Sequence, residues 1–241
     1  MNISDYTYII GGALKWIFPP GCAVCGELLP LDGGGMFCGR CAGALAPISG
    51  PVCGKCGRPV RADAAGTVCG DCAGADFSFR RNIAVYPYEG AVRDFIHRFK
   101  YSGHPEYARY IGGMMAERLA PEGLRPDAVI PVPMFWHKRL VRGFNQAELL
   151  AQEIAGKMGV LYMGGALLRV RNTTPQSRLS GAERAKNVEN AFQKNKKADF
   201  SGVKSVLLVD DIFTTGSTLN ACACALIKSG ARDVTCCTAC A

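Results

Sequence analysis

The segment that most restricts the fold is Ser205-Val206-Leu207-Leu208-Val209 and its continuation, Asp210-Asp211-Ile212-Phe213-Thr214-Thr215-Gly216-Ser217-Thr218. A continuous apolar run suits a strand buried on both faces, as in a parallel sheet covered by helices on either side. The run stops abruptly at two carboxylates and a Thr/Gly/Ser loop that opens a helix. In open α/β sheets, ligands bind at such carboxyl ends of strands. Backbone N–H groups over 214–218, the hydroxyls of Thr214, Thr215, Ser217 and Thr218, and the dipole of a helix over 219–229 compose an anion site. Gly216 removes the side chain that would hold an anion away from the backbone. Asp210 and Asp211, which when ionised only accept hydrogen bonds, suit the hydroxyl groups of a ligand. A strand, turn and helix capped by Thr and Asp would account for one or two of these residues, not for the ordered series.

The rest of the carboxy-terminal half agrees with that fold class. From about Asp76 the pattern predicts a strand over 82–88, helices over 91–100 and 106–119, a strand over 128–133 and a helix over 145–158 with Asn145 as N-cap. Strands over 166–170, 203–209 and 233–239 complete the series. Strands alternating with helices imply an α/β domain, a mainly parallel sheet with helices on both faces.

The amino-terminal part is of another kind. Cys22-x-x-Cys25 and Cys38-x-x-Cys41 are followed by Cys53-x-x-Cys56 and Cys69-x-x-Cys72, so that every cysteine recurs 31 residues later. This is an internal duplication. Tetrahedral zinc takes four thiolates at about 2.3 Å, and a Cys-x-x-Cys turn aims two sulfurs at one ion while its N–H groups hydrogen-bond them. Disulfides are the competing explanation, set aside because nothing marks the chain for secretion. Two structural zinc ions follow, held within each repeat as successive ribbons or in a crossed arrangement; the first is simpler. With no open coordination position, catalysis by this metal is not expected. The expected division is 1–75, an amino-terminal helix and double zinc ribbon, and 76–241, the α/β domain.

Charge adds little. Residues 1–72 carry five basic and five acidic side chains, so the formal excess of +8 lies wholly in the remainder. Eight thiolates around two dications would bring the chain nearer +4, and basicity alone is a weak argument for nucleic acid. No run reaches the roughly 18–20 apolar residues that cross a bilayer. Residues 1–18, with Ile9, Ile10, Leu14, Trp16, Ile17 and Phe18, read as an amphipathic helix docked on its own protein, without the basic start and cleavage site of a signal peptide.

The series of hydrophobic strand, two acids and Thr-Thr-Gly-Ser-Thr closely resembles the phosphoribosyl pyrophosphate (PRPP) signature of type I phosphoribosyltransferases. Together with the cysteine repeat, His97-Arg98-Phe99-Lys100-Tyr101-Ser102-Gly103, Pro131-Val132-Pro133, Arg142-Gly143-Phe144-Asn145-Gln146 and Thr174-Pro175-Gln176, nearly the whole chain is similar to the ComF family of competence proteins. The resemblance implies PRPP held with Mg by Asp210, Asp211, Thr214, Thr215, Gly216, Ser217 and Thr218. It also implies a part in natural transformation: handling incoming single-stranded DNA in the cytoplasm, at the inner face of the inner membrane. Partners would include a competence helicase and other DNA-processing proteins. Some relatives are described as amidophosphoribosyltransferases, so a Mg-PRPP-dependent transferase of nucleotide metabolism or salvage stays open as the alternative.

In the related fold the loop after the first core strand holds pyrophosphate, which maps here to 133–137. Lys138, Arg139 and Arg142 follow it and, with Lys100, Arg171, Gln176 and Arg184, are candidates for contacts to a diphosphate or a nucleic-acid backbone. Arg171 and Gln176 fall in the segment matching the mobile loop that closes over substrate in active transferases, with Arg184 downstream. Phe135, Trp136 and Phe144 could stack bases, or equally pack in the core. His97 and His104 receive no role. Cys222, Cys224, Cys236, Cys237 and Cys240 read as small apolar residues of a buried helix and strand.

Overall fold

A computed structural model of the chain describes residues 20–31, 35–64, 68–171 and 191–241. A short helix, α1 (Gly39–Ala44), lies in the cysteine repeat. Then come β1 (Asn82–Tyr86), α2 (Gly90–Tyr101), α3 (Tyr107–Leu119), β2 (Ala128–Pro131), α4 (Trp136–Arg142), α5 (Gln146–Met158) and β3 (Leu161–Tyr162). β4 (Leu167–Arg169), β5 (Phe192–Lys194), β6 (Ser205–Ile212), α6 (Ser217–Lys228) and β7 (Asp233–Cys240) complete the series.

Five strands pair in parallel in the order β1-β7-β6-β2-β3, which places the apolar run of β6 at the centre. The α/β fold with a parallel sheet is therefore the one expected from the sequence. The strand expected over 166–170 forms at Leu167–Arg169. β4 stands outside the main sheet and pairs antiparallel with β5, a three-residue strand that no sequence pattern announced. Two more short elements, β3 and α4, were equally silent: two or seven residues are too few to carry a period. Asn145 caps α5 as expected, its side chain accepting from Ala147 N at 3.2 Å and donating to Val132 O at 3.1 Å.

Alternation along β6 divides the core. Leu207 and Val209 face a cluster built with Phe95, Phe99, Met115, Leu150 and Ile154, from α2, α3 and α5. Val206 and Leu208 face the other side, against Leu219, Cys222 and Leu226 of α6 together with Leu167 and Phe192. The cysteine repeat joins both layers. Cys22, Val24, Leu29 and Cys41 belong to the first cluster, whereas Cys53, Cys56 and Cys72 belong to the second. The two ribbons thus straddle the β1 edge of the sheet, one on each face, sharing its core rather than folding around cores of their own. Cys222, Cys236, Cys237 and Cys240 are fully buried as small apolar side chains. Among the described residues no helix is long and apolar enough to cross a membrane. The amino-terminal helix expected over 1–18 lies outside the described residues.

Candidate ribose phosphate site and zinc centres

β6 runs farther than its apolar stretch. Both acids lie within the strand, with Asp210 opposite Thr238 and Ile212 opposite Cys240 of β7, and Phe213 N donating to Cys240 O at 2.9 Å. From the sequence the strand is expected to end at Val209 with the acids in the loop, because carboxylates are depleted from strands. The extension matters, since successive strand residues point to opposite faces. Asp211 turns toward the α2 layer, where its Oδ2 meets Lys100 Nζ at 2.9 Å. Asp210 turns toward the α6 layer. Burial, and next the neighbouring Asp211 charge, push the Asp210 carboxyl up to about 7. For Lys100, burial opposes the charged form, but Asp211 more than offsets it and holds the ammonium above its ordinary value.

Two adjoining cavities of about 190 and 180 Å³ meet at Lys100, Asp210, Asp211 and Thr218. The smaller is walled by the loop from Ile212 to Thr214, Gly216 and Leu219. Gly216 has φ +76°, and a Cβ there would lie 2.6 Å from the Phe213 ring, so this position accepts no side chain without moving the loop. Phe213 is itself buried against the edges of Phe77 and Phe79, which stack at 4.6 Å, so the loop rests on an aromatic floor. Thr215 Oγ1 and Ser217 Oγ lie 2.8 Å apart, gathering two hydroxyls at the start of α6. All seven residues expected to bind ribose phosphate therefore fall in one strand end, loop and helix start.

The larger cavity gathers cations: Lys100, Lys138, Arg142 and Arg169 line it together with Pro133, Met134 and Gln146. Burial, followed by the charges of Arg169, Arg142 and Lys100, lowers the Lys138 ammonium below its ordinary value. Such crowding favours an anionic ligand. Arg142 is held by Gln146 Oε1 at 3.2 Å and Tyr101 Oη at 2.9 Å, and its guanidinium lies 4.7 Å from the Tyr101 ring centroid. Gln146 lines this wall, and its buried Nε2 has no hydrogen-bond partner among the described residues.

Of the expected cationic contacts, Lys100 and Arg142 line the cavity. Arg139 does not: its guanidinium engages Glu148 Oε1 at 3.0 Å. Arg171 follows β4 and is not among the lining residues. Gln176 and Arg184 lie outside the described residues. Lys138, expected with Arg139 and Arg142 to meet a diphosphate or a nucleic-acid backbone, does line the cavity, and Gln146 and Arg169 join it there. The Arg-Gly-Phe-Asn-Gln string flagged Gln146, whereas Arg169 gave no signal beyond a charge in a strand-like run.

The cysteines assemble within each repeat. Sγ atoms of Cys22, Cys25, Cys38 and Cys41 all lie within 4.8 Å of one another, as do those of Cys53, Cys56, Cys69 and Cys72. The Cys25–Cys38 and Cys56–Cys69 sulfur separations are 3.9 and 3.7 Å. Thiolates about 2.3 Å from a tetrahedral zinc stand about 3.8 Å apart, so both sets fit the ion. Equivalent backbone bonds recur, Gly26 N to Cys22 O and Gly57 N to Cys53 O, as do the bridges Gly21 to Leu28 and Val52 to Pro59. Burial disfavours ionisation of Cys22 and Cys53, but backbone N–H groups outweigh it and bring both thiols down to about 6, suited to metal ligation.

Comparison with known proteins decides the family. A phosphoribosyl transferase domain model matches residues 104–241, more than half of the chain. The chain belongs to the phosphoribosyltransferase family. A double zinc ribbon domain model matches residues 13–73, in keeping with the two cysteine tetrads. Among relatives, Competence protein F of Haemophilus influenzae is 37% identical over 45% of this chain and 48% of its own length. DNA utilization protein YhgH of Salmonella typhimurium is 31% identical over 64% of this chain and 69% of its own. Competence protein ComFC of Streptococcus pneumoniae is 30% identical over 63% and 64%. The chain thus spans about half to two thirds of these relatives, and the resemblance to the ComF competence proteins stands.

Proposed function

We propose that this phosphoribosyltransferase-family protein binds PRPP, or the ribose phosphate of a DNA strand, and acts in natural transformation by handling incoming single-stranded DNA. The reading rests chiefly on the joined cavities, where the Asp210–Asp211 strand end separates a hydroxyl-bearing loop from a four-cation wall. A 5-phosphate would take the loop N–H groups over 214–218, ribose hydroxyls would face the acids, and a diphosphate would meet Lys138, Arg142 and Arg169. Asp210 is the carboxylate suited to a Mg ion carried by PRPP, since Lys100 already neutralises Asp211. Mg bound there would screen the diphosphate charge. The names of the relatives, competence proteins and a DNA utilization protein, support the biological half.

The same reading includes a division near residue 75, cytoplasmic action at the inner face of the inner membrane, and partnership with a competence helicase and other DNA-processing proteins. Isothermal titration with PRPP, then competition by single-stranded DNA at low and raised salt, tests it. Competition that weakens with salt is expected, because phosphate contacts release counterions. A deletion strain that takes up and integrates DNA normally would refute the competence role.

One observation favours the alternative of an active transferase: a loop for the 5-phosphate and a cation wall for the diphosphate together match both ends of PRPP. Release of pyrophosphate with any member of a panel of nucleobases would establish it, and no turnover with the whole panel would leave binding as the function.

A further inference from the structure

The duplicated ribbons differ at one charge pair, and that difference reaches the ligand loop. In the first ribbon Glu27 and Arg40 pair at 3.5 Å, both well exposed. Thirty-one residues later the positions are Arg58 and Asp71, the same pair with its charges exchanged, at 2.6 Å. In each ribbon one partner stands two residues after the second cysteine and the other two residues after the third, so the pair ties together the two halves of one zinc site. Exchanging the charges puts an arginine on the member that faces the α/β domain. Arg58 donates through its other terminal nitrogen to the backbone oxygen of Thr214, and its guanidinium carbon lies 6.0 Å from the Phe213 ring centroid. Thr214 and Phe213 are residues of the ribose phosphate loop.

The base of this arm is fixed. Asn82, the first residue of β1, donates from its backbone to Lys55 O at 2.7 Å and from its side chain to Cys56 O at 2.9 Å. Gly57 has φ +76°, and a Cβ there would lie 2.7 Å from Asn82 O, so the turn packs directly on the strand. The first ribbon is anchored equivalently, with Arg98 Nε donating to Val24 O at 2.8 Å, but Glu27 offers no donor to the loop. Zinc at this tetrad would hold the Cys53 and Cys69 halves together, Asp71 pairs with Arg58, and Arg58 engages the Thr214 carbonyl of the loop.

We propose that Arg58 is a positioning residue through which the second zinc ribbon sets the shape of the phosphate loop, so that zinc at Cys53, Cys56, Cys69 and Cys72 and a ribose 5-phosphate ligand stabilise each other. The proposal deepens the function given above and rests on it for the identity of the ligand. Coupling between two sites is reciprocal: a ligand that orders the loop through Arg58 must also tighten the ribbon.

Hydrogen exchange on the zinc-loaded full chain, with and without saturating ribose 5-phosphate, separates the possibilities. In the wild type the ligand should slow exchange over 214–218 and, by about five-fold or more, over the second ribbon, 53–72, with no change over the first, 22–41. In R58A, still carrying two zinc ions per chain, the ligand should bind more weakly and leave 53–72 unchanged when saturating. The variant R58K, which keeps the charge but not the planar fork, should recover part of the effect. Ribbon protection as large in R58A as in the wild type, or protection over 214–218 without any over 53–72 in the wild type, would overturn the proposal. No protection over 214–218 in the wild type would instead refute ribose phosphate binding. Exchange over 214–218 in the unliganded proteins then still decides the coupling: faster in R58A upholds it, equal rates reject it.

Discussion

Lys100 Nζ lies 2.9 Å from Asp211 Oδ2, and both side chains are largely withdrawn from solvent, at 17% and 12% exposure. The pair joins α2 to the carboxyl end of β6, and among the described residues Asp210 forms no comparable salt bridge. Removing one member strands the other charge. Lys100→Met should therefore destabilise the protein by about 3 kcal/mol, the lower end of the cost of breaking a buried pair. The double variant K100M/D211N should be more stable than K100M alone. Urea denaturation midpoints for the three proteins give the comparison, and a K100M variant as stable as wild type would show the pair to be energetically idle.

Asp210 has the opposite environment, and its effect on stability has a definite sign. Its folded carboxyl titrates at about 7, well above the ordinary 3.8 that applies when unfolded. Between those values the folded state holds the proton more tightly, so stability falls as pH rises and the loss is complete above about 7. Asp210→Asn removes this component. Unfolding midpoints between pH 5 and 8 should decline in the wild type more steeply than in D210N; parallel curves would place the titration elsewhere.

Gly216 adopts a backbone conformation that an L side chain strains, with no room for a Cβ. Gly216→Ala combines a positive φ with a Cβ 2.6 Å from the Phe213 ring, and should cost about 1–3 kcal/mol through strain. PRPP affinity should fall by at least ten-fold, because the amides over 214–218 lose their common focus. Calorimetry on the variant measures both effects, and unchanged affinity would show that the loop does not carry the phosphate.

Metal removal should reach beyond the ribbons. Cys22 and Cys41 pack with the α2–α3–α5 layer, while Cys53, Cys56 and Cys72 pack with the α6 layer. Elemental analysis should find two zinc ions per chain, and a strong chelator should lower the melting temperature of the whole protein rather than melt a separate module. A chelated protein with an unchanged α/β transition would refute this shared core.

Much of this was legible in the residues. The apolar strand, acids and loop specify their own geometry locally, and the 31-residue repeat fixes both tetrads, so both came from short-range pattern. The missing pieces arise between distant segments. Arg169 enters the cavity because β4 leaves the main sheet to pair with β5, and Lys100 meets Asp211 only because β6 extends three residues past its apolar run. Arg139 looked equivalent to Arg142, yet Glu148 engages it away from the cleft. Helix phase and strand pairing decide such placements, and a charge in a sequence reveals neither.

Ribose 5-phosphate held by the strand end and loop over 210–218 is what the proposed function requires. Titration of PRPP with Mg into wild type and into the double variant D210N/D211N, both zinc-loaded and folded, tests it most directly. Saturable one-to-one binding by the wild type, weakened at least ten-fold in the double variant, is the predicted result. Equal affinity in both proteins, or none in the wild type, would contradict it.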